Sequence, residues 1–157
     1  MPLDLDQDSK ERIVELLNRI MEMELAGVVR YTHYSLMVFG PHRIPIVDWL
    51  RQEALESLTH AQEAGEMVTH MGHHPSLGIG PLLETQKHDV EAILRESLDH
   101  EMETLGFYKQ LLQLVDGRSV MLEEYARKMV NTEELHTGNV DKMLRAEGAI
   151  ASVRDTH

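Results

Sequence analysis

Four glutamates recur at matched intervals along this chain. Glu24 and Glu56 are separated by 32 positions, and so are Glu101 and Glu133. Each member of the second pair follows its counterpart in the first by 77 positions. The spacing predicts a repeated unit of two segments, each carrying one carboxylate. Two such units around an approximate twofold axis would bring the carboxylates together, where they could hold two metal ions side by side.

Histidines accompany the second glutamate of each pair. His60 lies four positions after Glu56, and His136 lies three positions after Glu133. Carboxylate oxygens and neutral imidazole nitrogens are ligands that iron, manganese and zinc accept. The predicted metal ligands are Glu24, Glu56, His60, Glu101, Glu133 and His136.

The sequence around these glutamates favours metal binding. Glu24, Glu101 and Glu133 each interrupt an apolar stripe of a helical pattern. Burying such carboxylates without a compensating charge is costly. Lysines and arginines near these positions are few, and Arg30, the nearest obvious candidate to neutralise them, lies off the stripe. A salt bridge to a neighbouring helix could explain one such glutamate, but the repeated arrangement favours a pair of divalent cations.

The elements that must position these side chains are predicted to be helices. Apolar residues recur at three- and four-residue steps over about 9–39, 45–71, 82–115 and 119–145. Ser119 is suited to cap the fourth helix. The glycine-rich stretch from Gly72 to Pro81 is predicted to join the second helix to the third. The fold class is therefore all-α: one domain over 1–157, built as a four-helix up-and-down bundle with a short C-terminal tail.

The composition argues against several classes of function. The chain has 157 residues, a net charge of −12 and no cysteine. The acidic balance argues against nucleic acid as a partner, because phosphate recognition needs Lys and Arg. The absence of cysteine excludes disulfides, thiol nucleophiles and iron–sulfur clusters. Neither a secretory signal nor a membrane-spanning segment is evident, so a cytoplasmic protein is expected.

Three short motifs carry a family resemblance. The segment from Glu24 to Tyr31, the pair His60-Ala61 and the Glu-x-x-His motif from Glu133 to His136 resemble the ferritin-like di-iron carboxylate proteins, most closely bacterioferritin. The resemblance implies a ferroxidase that oxidises Fe(II) with O2 or H2O2 for iron storage or detoxification. It implies non-haem iron at the predicted ligands, and it places Tyr31 beside the iron as a hydrogen-bonding or redox-active neighbour.

The chain departs from that family on the second helix. Ser57 stands where the family has a glutamate three positions before its histidine. Glu56 is within one helical turn of His60 and is our substitute, and Glu53, two turns away, is the alternative. Leu58 stands where the family has its haem-binding methionine, so haem is not expected. Glu101 is also shifted by one position from the family's register relative to the helix-four histidine.

Other interpretations remain open at this point. A rubrerythrin-like peroxidase or another di-metal oxidase would share the fold, and a non-catalytic dimerising bundle would follow if Ser57 has disabled the site. We expect a homodimer through the first two helices, and a 24-subunit cage is compatible with the family. The surface histidines His70, His73 and His74 are interpreted as a solvated helix end rather than a metal site.

Overall fold

The computed structural model describes residues 5–82 and 84–154. Within those ranges it contains four helices and no strand: α1 (Gln7–Met37), α2 (Arg43–His70), α3 (Val90–Val115) and α4 (Val120–Leu144). The predicted all-α four-helix bundle is confirmed. A single domain over 1–157 stays a prediction, and residues 1–4, 83 and 155–157 of that range lie outside the described residues.

Side-chain caps define where the helices begin. Asp6 Oδ1 accepts the Ser9 backbone N–H at 2.7 Å before α1. Ser119 Oγ accepts the Leu122 backbone N–H at 3.3 Å, so the predicted cap of α4 is confirmed. These side chains satisfy backbone donors that have no partner inside the first helical turn.

The third helix starts later than the sequence pattern predicts, at Val90 rather than near residue 82. Asp89 caps it by accepting the Ala92 backbone N–H at 2.7 Å. The preceding segment is instead attached to α1, because Gly80 donates its backbone N–H to the Glu22 carbonyl oxygen at 2.9 Å. A Cβ at Gly80 would lie 3.1 Å from that oxygen, so glycine permits the close approach.

The long connection between α2 and α3 sets the helix directions. Contacts of α1 with α2 and α3 pair Met21 with Gly65, Glu24 with His60, Tyr31 with Glu101 and Tyr34 with Glu96. Partner numbers fall as α1 numbers rise, so α1 is antiparallel to both helices. Helices α2 and α3 therefore run in the same direction. If every joint were short, each helix would instead run antiparallel to the one before it. The connection therefore crosses the length of the bundle as one long crossover rather than a short joint.

The hydrophobic core lies in layers on both sides of a polar midsection. One cluster of buried residues fills the end that contains the start of α1, and includes Ile13, Leu17, Val68, Leu111, Leu122 and Met129. A second cluster fills the other end and includes Tyr31, Val38, Val47, Leu50 and Ile93. Apolar packing on both sides shields the carboxylates between them from water.

The C-terminal segment is held to α4 by Asp141, a fully buried carboxylate. Arg145 donates to Asp141 Oδ2 at 2.7 Å, and the backbone N–H of Val153 donates to Oδ1 at 2.8 Å. Burial raises the pKa of Asp141, but the hydrogen bonds from Arg145, Ser152 and the backbone outweigh it, so the net pKa is below its ordinary value. No helix within the described ranges has the length and apolarity needed to cross a bilayer.

Candidate metal centre

One potential ligand group joins helices α1, α2 and α4. His60 Nδ1 lies 2.9 Å from Glu24 Oε2 and 3.5 Å from Glu133 Oε1. All three residues are buried, and their ligand atoms lie within 4.8 Å of one another. Glu24 sits on the face of α1 that packs against α2, which follows from its place in the apolar stripe. The group offers two carboxylates and one imidazole to a single cation.

A second potential group joins α3 and α4 through Glu101, Glu133 and His136, whose ligand atoms meet the same 4.8 Å criterion. Glu133 belongs to both groups, so its carboxylate stands between them. The rings of His60 and His136 stack with centroids 6.1 Å apart. The two groups are therefore adjacent and share one carboxylate.

Two carboxylates of α2 complete the second group. Glu56 Oε2 lies 3.2 Å from His136 Nε2, and Glu53 Oε2 lies 3.9 Å from His136 Nδ1. The Glu56 side chain is 44% exposed and the Glu53 side chain 14%, so Glu53 is the one enclosed in the bundle. The sequence prediction chose Glu56 and kept Glu53 as the alternative. Both reach the same imidazole because positions 53 and 56 lie one turn apart on α2.

All six predicted ligands are thus brought together at the midsection of the bundle. In the described parts of the chain, no lysine or arginine forms an ion pair with any of these carboxylates or with Glu53. Arg30 instead donates to the Tyr34 hydroxyl and to the Pro81 carbonyl oxygen. Among the described residues, Glu133 Oε2 is buried without a hydrogen-bond partner. The donor set and this unpartnered oxygen fit a pair of divalent cations.

Burial perturbs the carboxyl groups of the centre. It raises the pKa of Glu24 to about 7, against the influence of His60, and it raises the pKa of Glu53 to about 7. Burial also raises the pKa of Glu101 well above its ordinary value, and the neighbouring Glu133 carboxylate adds to that shift. A carboxyl group removed from water prefers its neutral form. The metal-free centre therefore retains protons that an ordinary glutamate would have lost.

His60 shows the complementary effect. Burial lowers the pKa of its imidazole, but hydrogen bonds to Glu133 and Glu24 outweigh burial and raise the pKa to about 10. The imidazole is thus held as a cation between two carboxylates in the metal-free protein. A metal ion would replace that proton, because a metal-bound histidine must be neutral.

Tyr31, the predicted neighbour of the metal, touches the second group. Its hydroxyl donates a hydrogen bond to Glu101 Oε1, and the side chain is 1% exposed. Burial raises the pKa of Tyr31 well above its ordinary value, and Glu101 adds to the effect. The ring packs edge-on against Trp49, with centroids 6.4 Å apart. Tyr31 is therefore neutral and oriented toward one carboxylate of the centre.

Sequence reasoning missed a buried histidine beside the centre. A Cβ at Gly27 would lie 2.9 Å from Ser57 Oγ and 3.3 Å from His100 Nε2, so α1 is approached closely by α2 and α3 at this point. Burial lowers the pKa of His100 to about 4, so its imidazole is neutral. The signal for this packing was Gly27 itself, a glycine inside a long helix one turn after Glu24.

Two further sequence predictions concern the surface. Leu58, at the position of the family's haem ligand, is partly exposed and lines a shallow surface pocket with Leu25 and Ala61. The expected absence of haem stays a prediction. Within the described residues, the clusters that could hold a metal ion do not include His70, His73 or His74.

The comparisons with known proteins agree with this architecture. A family model described as a ferritin-like domain matches residues 14–147. The chain is similar to bacterioferritin from Desulfovibrio desulfuricans, with 24% identity over 136 residues, covering 83% of this chain and 73% of the relative.

Solved structures with this fold come from several bacteria. A ferritin-like di-iron carboxylate protein from Bacillus anthracis superposes with a TM-score of 0.83 at 22% identity, covering 90% of this chain and 100% of the other. The D. desulfuricans bacterioferritin gives a TM-score of 0.74 at 23% identity, covering 87% and 80%. A dodecameric thioferritin from Bacteroides fragilis gives 0.79 at 18% identity, covering 90% and 87%. Because the family model spans the whole bundle except the start of α1, the chain belongs to the ferritin-like domain family.

Proposed function

We propose that this protein is a ferroxidase that binds two Fe(II) ions per chain and oxidises them for iron storage or detoxification. The observation that carries the proposal is the pair of adjacent ligand groups that share Glu133 and, within the described residues, form no ion pair with a lysine or arginine. Two bound Fe(II) ions supply two electrons, which reduce O2 and two protons to H2O2, or H2O2 and two protons to two water molecules.

The residues of the centre would have different roles. Glu24, His60 and Glu133 would hold one ion, and Glu101, Glu133 and His136 would hold the other with a carboxylate of α2. Tyr31 would orient Glu101 through its hydrogen bond. The apolar clusters at both ends exclude water from the pocket, which strengthens the interaction between the carboxylates and cations.

The half-exposed Glu56 also suggests where iron enters. Its carboxylate is 3.2 Å from His136 Nε2 and still reaches solvent, so it links the surface to the buried groups. A net charge of −12 would attract cations to such an opening. We propose that Fe(II) arrives by this side of α2.

The test is an anaerobic titration of the metal-free protein with Fe(II), followed by oxidation with O2 or H2O2. We expect two tight sites per chain and rapid oxidation. Glu133→Gln should lose tight binding and slow oxidation at least about a hundredfold, because one carboxylate serves both ions. Glu134→Gln is the matched control, since that exposed neighbour pairs with Lys109 at 3.0 Å on the surface.

Each other outcome points to a different function. Binding of one ion would mean that Ser57 has left a mononuclear centre, and binding of none would favour a non-catalytic bundle. Turnover of peroxide without iron accumulation would favour a peroxidase. We further propose a homodimer through the exposed faces of α1 and α2, where Leu55 and Leu58 are solvent-exposed, and light scattering would measure it. The cytoplasmic location and a larger cage stay predictions from the sequence and the family resemblance.

A further inference from the structure

We propose that the protein has a second, peripheral metal site on the outside of α1, formed by His33, Glu84 and His88. This site would bind one divalent cation of the zinc class and fasten the long connection between α2 and α3 to α1. The ligand atoms of the three residues lie within 4.8 Å of one another. The inference does not depend on the proposed function of the buried centre, because the two share no residue.

The geometry is close to that of a metal site. His33 Nε2 lies 2.6 Å from Glu84 Oε2, and His88 Nε2 lies 3.4 Å from Glu84 Oε1. Tetrahedral zinc with bonds of ~2.0–2.1 Å separates its ligand atoms by about 3.3 Å. The His88–Glu84 separation already has that value, and the His33–Glu84 separation needs to open by less than about 1 Å. The two imidazole rings lie edge to face with centroids 6.1 Å apart, so both can point at one ion.

One buried nitrogen of this group faces the carboxylate without forming a hydrogen bond within the described ranges. His88 Nε2 is shielded from solvent and makes no hydrogen bond to any described residue, although it faces the Glu84 carboxylate. A buried polar atom without a partner is costly and uncommon in folded proteins. A cation coordinated between His88 and Glu84 would satisfy that nitrogen directly.

The local backbone holds the carboxylate in place. Gln86 adopts a φ of +59°, a left-handed conformation that is uncommon for residues other than glycine. In this conformation its backbone N–H donates to Glu84 Oε1 at 2.6 Å. That hydrogen bond orients the carboxylate independently of any bound metal.

The donor set predicts which metal would bind. Two imidazoles and one carboxylate form a common zinc ligand set that leaves a fourth position for water. Beside the group is a surface pocket of about 230 Å³, whose lining includes Val29, Arg30 and Leu82 as well as His33 and Glu84. The open position would face this pocket and remain accessible to solvent.

Binding there would have a structural consequence. Glu84 and His88 belong to the connection, whereas His33 lies on α1, 51 positions before Glu84. A metal ion that joins them closes a long loop in the folded state alone, and therefore stabilises that state by mass action. The connection is already tied to α1 at Gly80 and Pro81 by hydrogen bonds, so the metal would extend this attachment toward α3.

The experiment is a calorimetric titration of the full-length, metal-free protein with Zn(II). We expect His33→Ala and His88→Ala each to bind one fewer Zn(II) per chain than the parent, or to bind that ion at least about tenfold more weakly. His74→Ala is the matched control, because this exposed histidine lies in the same connection and its Nδ1 lies 2.8 Å from the Pro75 carbonyl oxygen, away from Glu84 in the sequence. It should bind as many ions as the parent.

A second measurement separates this site from the buried centre. Zn(II) should slow amide hydrogen exchange over residues 78–88 in the parent and in Glu133→Gln, but not in His88→Ala. Equal zinc stoichiometry together with equal zinc affinity in the parent and His88→Ala would overturn the proposal. Equal loss of binding in His74→Ala would also overturn it, because the histidines would then act only as a dispersed surface cluster.

Discussion

Glu53 Oε2 lies 3.9 Å from His136 Nδ1, so a carboxylate of α2 reaches the imidazole of α4 across the middle of the bundle. This carboxylate starts one helical turn before Ser57, the position at which the family resemblance predicts a glutamate. Ser57 itself is buried against Gly27. A carboxylate of α2 is thus available to the candidate centre one turn before Ser57.

We predict that Glu53 matters more than Glu56 for metal retention. Glu53→Gln should lose one of the two tight Fe(II) sites. The carboxylate is enclosed in the bundle, so water cannot take its place beside the ion. Glu56→Gln should weaken binding by less than about tenfold, because this carboxylate is half exposed and screened. Anaerobic Fe(II) titration of both variants measures the difference. The reverse order of effects would assign the ligand role to Glu56.

The metal-free protein should become less stable as the pH rises from about 5 to 8. Glu24 and Glu53 have folded-state pKa values raised to about 7, so the folded state binds protons that the unfolded state has already released. Each group then removes roughly 1.4 kcal/mol of stability per pH unit between its unfolded and folded pKa. His60, with a pKa raised to about 10, extends the loss to higher pH.

Urea unfolding of the metal-free protein at several pH values tests this dependence. Loading with Zn(II) provides the control, since bound cations replace the protons and should flatten the profile in this range. A metal-free protein whose stability is constant or rises between pH 5 and 8 would contradict the assigned direction of the shifts.

Tyr31→Phe should affect both stability and metal binding. The variant leaves a buried oxygen of Glu101 without its donor, which costs about 1–3 kcal/mol in the metal-free protein. Because Glu101 then loses its orientation, Fe(II) affinity should fall about 10–100-fold. Tyr34→Phe is the control on the same helix, since its hydroxyl donates to Glu96 at 3.0 Å, outside the centre. Fe(II) titration and urea unfolding of both variants provide the readouts, and equal Fe(II) affinities would refute a positioning role for Tyr31.

Gly27→Ala should destabilise the bundle by about 1–3 kcal/mol, because the new methyl group would overlap Ser57 Oγ and crowd His100. Gly138→Ala on α4 should instead be neutral or stabilising by up to about 1 kcal/mol, since a Cβ there meets no atom within 4 Å and alanine favours a helix. Chemical denaturation of both variants compares them directly. Equal effects would mean that helix propensity, rather than close packing at Gly27, decides the outcome.

Local patterns were sufficient to predict the helices and most of the centre. Apolar periodicity identified the four helices, and the polar interruptions Glu24, Glu101 and Glu133 identified the residues that meet inside. These predictions succeed because a helix fixes which residues share a face from sequence spacing alone. The cap at Ser119 is equally local, since its hydrogen bond spans three positions.

Other features depend on contacts between distant parts of the chain. Asp141 shares a helical face with solvated residues in the sequence, yet Arg145 and the segment at Val153 bury it completely. The start of α3 and the parallel course of α2 and α3 follow from the attachment of the connection to α1, through bonds such as that of Gly80 to Glu22.

The sequence by itself determined the helical architecture, the chemistry of the candidate ligands and their approximate register, because each depends on residues within a few turns. Only the tertiary structure decided that Glu53 is enclosed while Glu56 is half exposed, and that Glu84 meets His33. Both carboxylates of α2 lie within reach of the same imidazole, so their exposure depends on how neighbouring helices pack over them. Burial and long-range contacts arise only when the helices pack against one another, so they cannot be read from any one helix alone.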